Sequence, residues 1–241
     1  METKRMKTFV TGLDEILSGG LPRGHVVLVS GHPGTMKSTF AYAMLYHNAK
    51  ERAARGLYIT LEQTRKSFES QMASMGFDTG HVRRRLHVLD GASIRKGLLP
   101  GPSQVWMDFM YRTMNTKKDI WGIDLLVIDS LEALEVLAQM QDRRTDLFGL
   151  LEWLRDFGAT SLLVTEGATD ELIVENDGTH IRRDEGFLAD GIIELKMHPI
   201  SDTDVQRRIR VIKMRGSHHK TGFYTLVFED GRFQATRAMS R

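Results

Sequence analysis

One eight-residue segment constrains this chain more than any other. Gly31-His32-Pro33-Gly34-Thr35-Met36-Lys37-Ser38 follows the apolar run Val26-Val27-Leu28-Val29-Ser30 and opens a stretch with apolar residues at helical spacing. A short β-branched run bounded by glycines suits a buried central strand. Strand, glycine-rich turn and helix in that order match the P-loop pattern G-x-x-x-x-G-K-[ST]. The pattern works because consecutive backbone N–H groups at a helix N-terminus make a nest for phosphate, and the helix dipole favours the anion.

Gly31, His32, Pro33, Gly34, Thr35 and Met36 are therefore expected to line a triphosphate cradle, with ATP as the nucleotide. Lys37 is expected to meet the β- and γ-phosphate oxygens. Ser38 is expected to offer its hydroxyl to Mg²⁺, which prefers oxygen ligands, and Thr39 to add a further phosphate contact. Met36 stands where the pattern has its second glycine. A methionine fits there at negative φ, with its N–H still available. The bland alternative is a glycine-rich turn with no ligand. Leu125-Leu126-Val127-Ile128-Asp129 weighs against it. This second apolar run ends in an acid, and a carboxylate at a strand's C-terminal edge holds the Mg²⁺ shell, so Asp129 joins Ser38 as a metal-site residue.

The rest of the chain reads as a mostly parallel central sheet flanked by helices. Leu57–Leu61, Leu86–Leu89 and Ser161–Thr165 are further strands, with helices expected over 37–54 and 64–75. After residue 190 the helices stop. Gly191–Leu195, Arg208–Lys213 and Phe223–Phe228 read as antiparallel strands or hairpins added to the sheet, and Glu229-Asp230-Gly231-Arg232 as a turn. The stretch 91–104 reads as a surface loop, and no linker or repeat divides the 241 residues, so one α/β domain is expected. A net charge of +2 argues against a general electrostatic grip on nucleic acid. The absence of cysteine fits a reducing, cytoplasmic setting, and no apolar run is long enough to span a membrane.

Several segments together resemble one family. They are Thr11-Gly12-Leu13-Asp14-Glu15-Ile16-Leu17, Gly19-Gly20-Leu21-Pro22-Arg23-Gly24, the P-loop, Asp129-Ser130, and Lys213-Met214-Arg215-Gly216-Ser217-His218. From about Thr11 to Phe228 the chain resembles the KaiC and RadA branch of the RecA-fold ATPases. The resemblance implies that Glu62 is the catalytic carboxylate that orients and deprotonates the attacking water. KaiC has paired glutamates there, whereas this chain has Glu62-Gln63. Thr165-Glu166 matches the family's sensing position. Lys213 and Arg215 share a strand face by their i, i+2 spacing. The resemblance makes them the cations that reach the γ-phosphate of a neighbouring subunit's ATP. It thereby implies a homo-oligomeric ring, a hexamer, with catalytic sites shared between subunits.

The leading expectation is an ATPase whose nucleotide state controls a protein partner. A RadA-like accessory factor binding single-stranded DNA ranks lower. Segment 166–185 carries seven acids against two bases and no aromatic residue for base stacking. KaiC-like autophosphorylation and an ATP-binding role with negligible turnover also rank below the ATPase. Arg83-Arg84-Arg85, Arg143-Arg144 and Arg182-Arg183 read as solvated basic faces, and His218-His219 has no matching ligands for zinc.

Overall fold

The computed structural model describes residues 5–91, 103–166, 172–174, 180–182 and 185–237. Its frame is a ten-stranded sheet. The parallel half comprises β4 (Val26–Gly31), β5 (Gly56–Thr60), β6 (Leu86–Asp90), β7 (Leu125–Asp129) and β8 (Thr160–Glu166). The other half comprises β11 (Gly191–Pro199), β12 (Val205–Met214), β13 (Tyr224–Glu229), β14 (Arg232–Arg237) and the edge strand β2 (Val10–Thr11). The strands lie in the order β2-β14-β13-β12-β11-β4-β8-β7-β5-β6. Two small ribbons lie apart: β1 (Arg5–Met6) with β3 (Leu21–Pro22), and β9 (Leu172–Val174) with β10 (His180–Arg182).

The α/β class expected from the sequence is the one observed. One strand differs in direction. β11 runs parallel to β4 on one side and antiparallel to β12 on the other, so the antiparallel addition begins at β12. The physical reason is the connection: parallel strands need a crossover of a dozen or more residues. Residues 167–190 supply that length between β8 and β11. The Glu229–Arg232 turn is a two-residue hairpin loop. Asp230 and Gly231 both have positive φ, 47° and 73°, which matches the right-handed twist of the flanking strands.

The helices are α1 (Leu13–Ile16), α2 (Lys37–Arg52), α3 (Arg65–Ser74), α4 (Ser103–Trp121), α5 (Leu131–Ala138), α6 (Arg143–Phe157) and α7 (Glu185–Leu188). Each central strand feeds two cores because successive side chains point to opposite faces. Val27 and Val29 pack with α2 and α3, while Val26 and Leu28 pack with α4, α5 and α6. All four side chains are fully buried, worth about 1.5–3 kcal/mol each by area. Continuous apolar character is what a strand covered on both faces requires.

The helix α2 is buried on nearly every side rather than along one stripe. His47 Nε2 meets the Gly231 carbonyl at 2.9 Å, and Asn48 Nδ2 donates to the Lys7 carbonyl at 2.7 Å. The N-terminal segment and the β13–β14 hairpin therefore close over the helix that follows the Gly31–Met36 turn. The expected loop at 91–104 lies outside the described residues over 92–102, and the acidic segment 166–185 does so over 167–171, 175–179 and 183–184. No described helix is long and apolar enough to cross a membrane.

Candidate functional site

The C-terminal ends of β4, β8, β7 and β5 lie side by side. Ser30 pairs with Thr165, Val164 with Asp129, and Asp129 with Thr60. The parallel register brings to one edge of the sheet the turn after β4, Glu166, Asp129 with Ser130, and Glu62. Ligands of open α/β sheets bind in the crevice at this edge.

The cradle itself runs from Gly31 to Lys37. Gly31 has φ 151°, and a Cβ there would lie 2.1 Å from the Leu195 carbonyl oxygen of β11. No side chain fits at that crossing, so this glycine is required by close backbone approach. His32, Pro33 and Gly34 are exposed, and buried Thr35 closes the turn by donating its hydroxyl to the His32 carbonyl at 2.8 Å. Met36 departs from expectation. It has φ 73° and ψ 30°, left-handed rather than negative. The turn demands the conformation that the pattern's glycine supplies, and the chain adopts it with a side chain present. Packing of the Met36 side chain against the core around α2 helps offset a cost of about 1–2 kcal/mol.

Lys37 begins α2, and its ammonium rests on the His32 carbonyl at 3.2 Å. Burial lowers its pKa, while Glu166, Asp129, Glu132 and Glu62 pull it back up. The lysine thus stands over the cradle amid four carboxylates. Ser38 hydrogen-bonds the Asp129 carboxylate, as Tyr58 also does. Burial raises the Asp129 pKa, its largest influence, against those two hydrogen bonds. A buried carboxylate beside a hydroxyl suits a divalent cation that takes its remaining ligands from phosphate and water. The residues present therefore fit Mg²⁺. Among the described residues no group of three His, Asp or Glu forms a site by itself.

Glu62 accepts the Ser130 hydroxyl, which also caps α5 through the Ala133 amide at 3.3 Å. Thr39 is buried, with its hydroxyl 3.5 Å from the Met75 sulfur. Two residues are not legible from local spacing. Glu132 receives the Thr165 hydroxyl at 2.6 Å and the Glu166 amide at 2.8 Å, tying α5 to the end of β8. Arg207 of β12 brings its Nε within 3.5 Å of the Gly34 carbonyl on the cradle. Only the ordering of β11 and β12 beside β4 joins these distant segments.

Lys213 and Arg215 stand elsewhere. Gly191 pairs with both Met214 and Val27, so the end of β12 lies near the start of β4. Lys213 Nζ donates to the carbonyls of Gly186 and Ala189 at 3.1 and 2.7 Å, and Arg215 pairs with Asp190 at 3.1 Å. Arg215 lies past the last residue of β12, in a turn rather than on the strand. Both cations still reach one short segment, Gly186–Asp190. Val27 is four residues from Gly31, so roughly 13 Å of strand separates them from their own cradle.

A family model described as "ATPase: KaiC" matches residues 6–233. A UPF0273 protein of Aeropyrum pernix is 30% identical over 227 residues, covering 89% of this chain and 86% of that protein. The circadian clock oscillator protein KaiC of a Picosynechococcus strain is 28% identical over 92% of this chain, which spans only 42% of that longer protein. Among solved structures, a KaiC-like protein of Pyrococcus horikoshii aligns over 97% of this chain and 99% of its own, with a TM-score of 0.77 and 25% identity.

Proposed function

The chain belongs to the KaiC family of ATPases, and from that premise we propose that it binds Mg²⁺·ATP in the Gly31–Thr39 cradle and hydrolyses it between subunits of a ring. The observation that carries this reading is the separation of its cations. Lys37 serves its own cradle, whereas Lys213 and Arg215 lie at the opposite edge of the sheet. A fixed cation acts on a phosphoryl group only at contact distance. Those two residues therefore serve the nucleotide of an adjacent copy, which requires a closed homo-oligomer, with six subunits as the family precedent.

In this reading Lys37 and the turn's amides hold the β- and γ-phosphates, while Ser38 and Asp129 hold the metal, which neutralises phosphate charge when bound. Arg207 steadies the turn through the Gly34 carbonyl. Glu62, aimed by the Ser130 hydroxyl, orients a water and takes its proton. Lys213 and Arg215 of the neighbouring copy stabilise charge developing on the transferred group. Thr165 and Glu166, tied to Glu132, register whether the γ-phosphate is present. The whole chain acts as one ATPase domain whose nucleotide state is read by a protein partner.

Mixing tests the shared site. Chains carrying Lys213→Ala and Arg215→Ala keep Glu62, and chains carrying Glu62→Gln keep the cations. Each is expected to be inactive alone, and mixed assemblies to recover phosphate release. Absence of recovery at every mixing ratio refutes the shared site.

A further inference from the structure

The segments Thr11–Leu17 and Gly19–Gly24 lie outside the cradle, and the reading above gives them no part. Their residues Leu13, Leu17 and Leu21 are buried in the same core as α2, so the turn between α1 and β3 is rooted in the body of the fold. Gly20 in that turn has φ 122°, and a Cβ there would lie 2.3 Å from the Met6 carbonyl oxygen of β1. A glycine is what lets β1 come so close. Asp14 fixes the approach by accepting the Thr8 amide and hydroxyl at 2.9 and 3.0 Å.

This turn meets the loop after β12. Residues 215–223 form neither helix nor strand, and Arg215 stands at their head. Three side chains of the N-terminal segment hold that loop. Arg5 Nη1 lies 3.0 Å from the Ser217 hydroxyl, and the same nitrogen meets the Leu17 and Gly20 carbonyls at 3.2 and 2.9 Å. The Ser217 hydroxyl is itself 3.3 Å from the Leu17 carbonyl, which closes the contact on both sides. Ser18 donates its hydroxyl to the His218 carbonyl at 3.0 Å. His25 Nε2 meets the Arg215 carbonyl at 3.1 Å. A carbonyl only accepts, so that ring nitrogen carries the proton.

We infer that the N-terminal segment is a clamp that places the Arg215 loop for the adjacent copy's nucleotide, with Arg5 as its positioning residue. This rests on the shared-site reading above. Asp190 holds the Arg215 side chain at 3.1 Å, whereas His25, Arg5 and Ser18 hold the backbone from Arg215 to His218. A cation stabilises developing charge without reorganisation only when its position is set beforehand. Arg5 acts through the loop and not on the nucleotide.

Arg5→Met keeps the aliphatic stem and removes the donors. Its kcat for phosphate release is expected to fall about tenfold or more with KM within about twofold, because its own cradle is intact. Arg5→Lys keeps a cation within reach of the two carbonyls and is expected to recover part of the loss. Ser18→Ala, at an exposed position, is expected to lose about threefold in kcat. Mixing supplies a readout that a general loss of structure would not move. Arg5→Met chains keep Glu62 but lack a placed cation, so Glu62→Gln chains are expected to restore phosphate release. Chains carrying Lys213→Ala and Arg215→Ala are expected not to, since both members then lack that cation. Wild-type kcat in folded Arg5→Met and Ser18→Ala overturns the inference, and if Arg5→Met does not fold, Ser18→Ala alone decides. Recovery of Arg5→Met by the Lys213→Ala/Arg215→Ala chains overturns it too. So does failure of folded Arg5→Met with Glu62→Gln chains that the Lys213→Ala/Arg215→Ala chains do rescue. Failure of that last pairing refutes the shared site itself, and the inference with it.

Discussion

Asp190 accepts the Arg215 guanidinium on one carboxylate oxygen at 3.1 Å while the other takes the Val26 amide at the same distance. Val26 begins β4, and the far end of β4 leads into the proposed phosphate cradle. A single buried carboxylate thus joins the strand leading to the proposed nucleotide cradle to the cation proposed to serve a neighbouring copy. Arg155 braces the arrangement from α6 at 3.3 Å.

Asp190→Asn keeps an acceptor for Val26 but loses the charge that aims Arg215. Small misplacements of a positioned group cost up to about 100-fold in rate. The expected outcome is a fall of about tenfold in kcat with little change in KM, because ground-state binding by the cradle is untouched. A change confined to KM refutes the positioning role.

The same residue gives a pH signature. Burial alone would raise the Asp190 pKa, but the Val26 amide, Arg155 and His25 outweigh it and hold it below the usual carboxylate value. A depressed folded-state pKa adds stability that is full above the unfolded value, near 3.9, and lost as pH falls through the folded one. Acid melts of the wild type are expected to lose stability below about pH 4 more steeply than those of Asp190→Asn.

Asp129 behaves oppositely. Its pKa is raised by burial, so the folded chain holds a proton there more tightly than the unfolded chain. That contribution is full below the unfolded value and is lost as pH rises through the raised folded one. At neutral pH without metal, Asp129→Asn is expected to melt a few degrees higher than wild type. With Mg²⁺ and ATP the order reverses, because the variant loses a metal ligand. Thermal melts with and without Mg²⁺ check both halves.

Glu62→Gln preserves size and the hydrogen bond from Ser130 but cannot take a proton. Phosphate release is expected to fall by about 100-fold or more. ATP affinity, read by calorimetry, is expected to stay within about twofold, since in the proposed mechanism the carboxylate acts on water rather than on the nucleotide.

At position 36, comparing Met36→Ala with Met36→Gly separates backbone from side chain. Both remove the packing of the methionine, but only alanine keeps a Cβ at φ 73°. Met36→Gly is expected to be the more stable of the two by about 1 kcal/mol in urea melts. Equal stabilities would show that the left-handed turn carries no strain.

Much is legible in the chain's local chemistry. Apolar runs of four or five residues can be buried on both faces only in a central sheet, so Val26–Ser30 and Leu125–Asp129 announce their strands. The glycines of the turn and the lysine and serine after it carry their meaning in fixed spacing, because one turn and one helix start build the cradle. What spacing does not carry is conformation under tertiary load. Local chemistry predicts negative φ at Met36, yet the closure from β4 to α2 holds it left-handed.

The sequence by itself determined the strand, turn and helix of Val26–Arg52, the acid at the end of β7 and the α/β class, since each depends on residues adjacent along one element. Only the tertiary structure decided that β11 lies parallel beside β4, that Arg207 reaches Gly34, and that Lys213 and Arg215 stand at the far edge of the sheet. Those facts come from strand order and register, which join segments more than a hundred residues apart and leave no periodic trace along the chain.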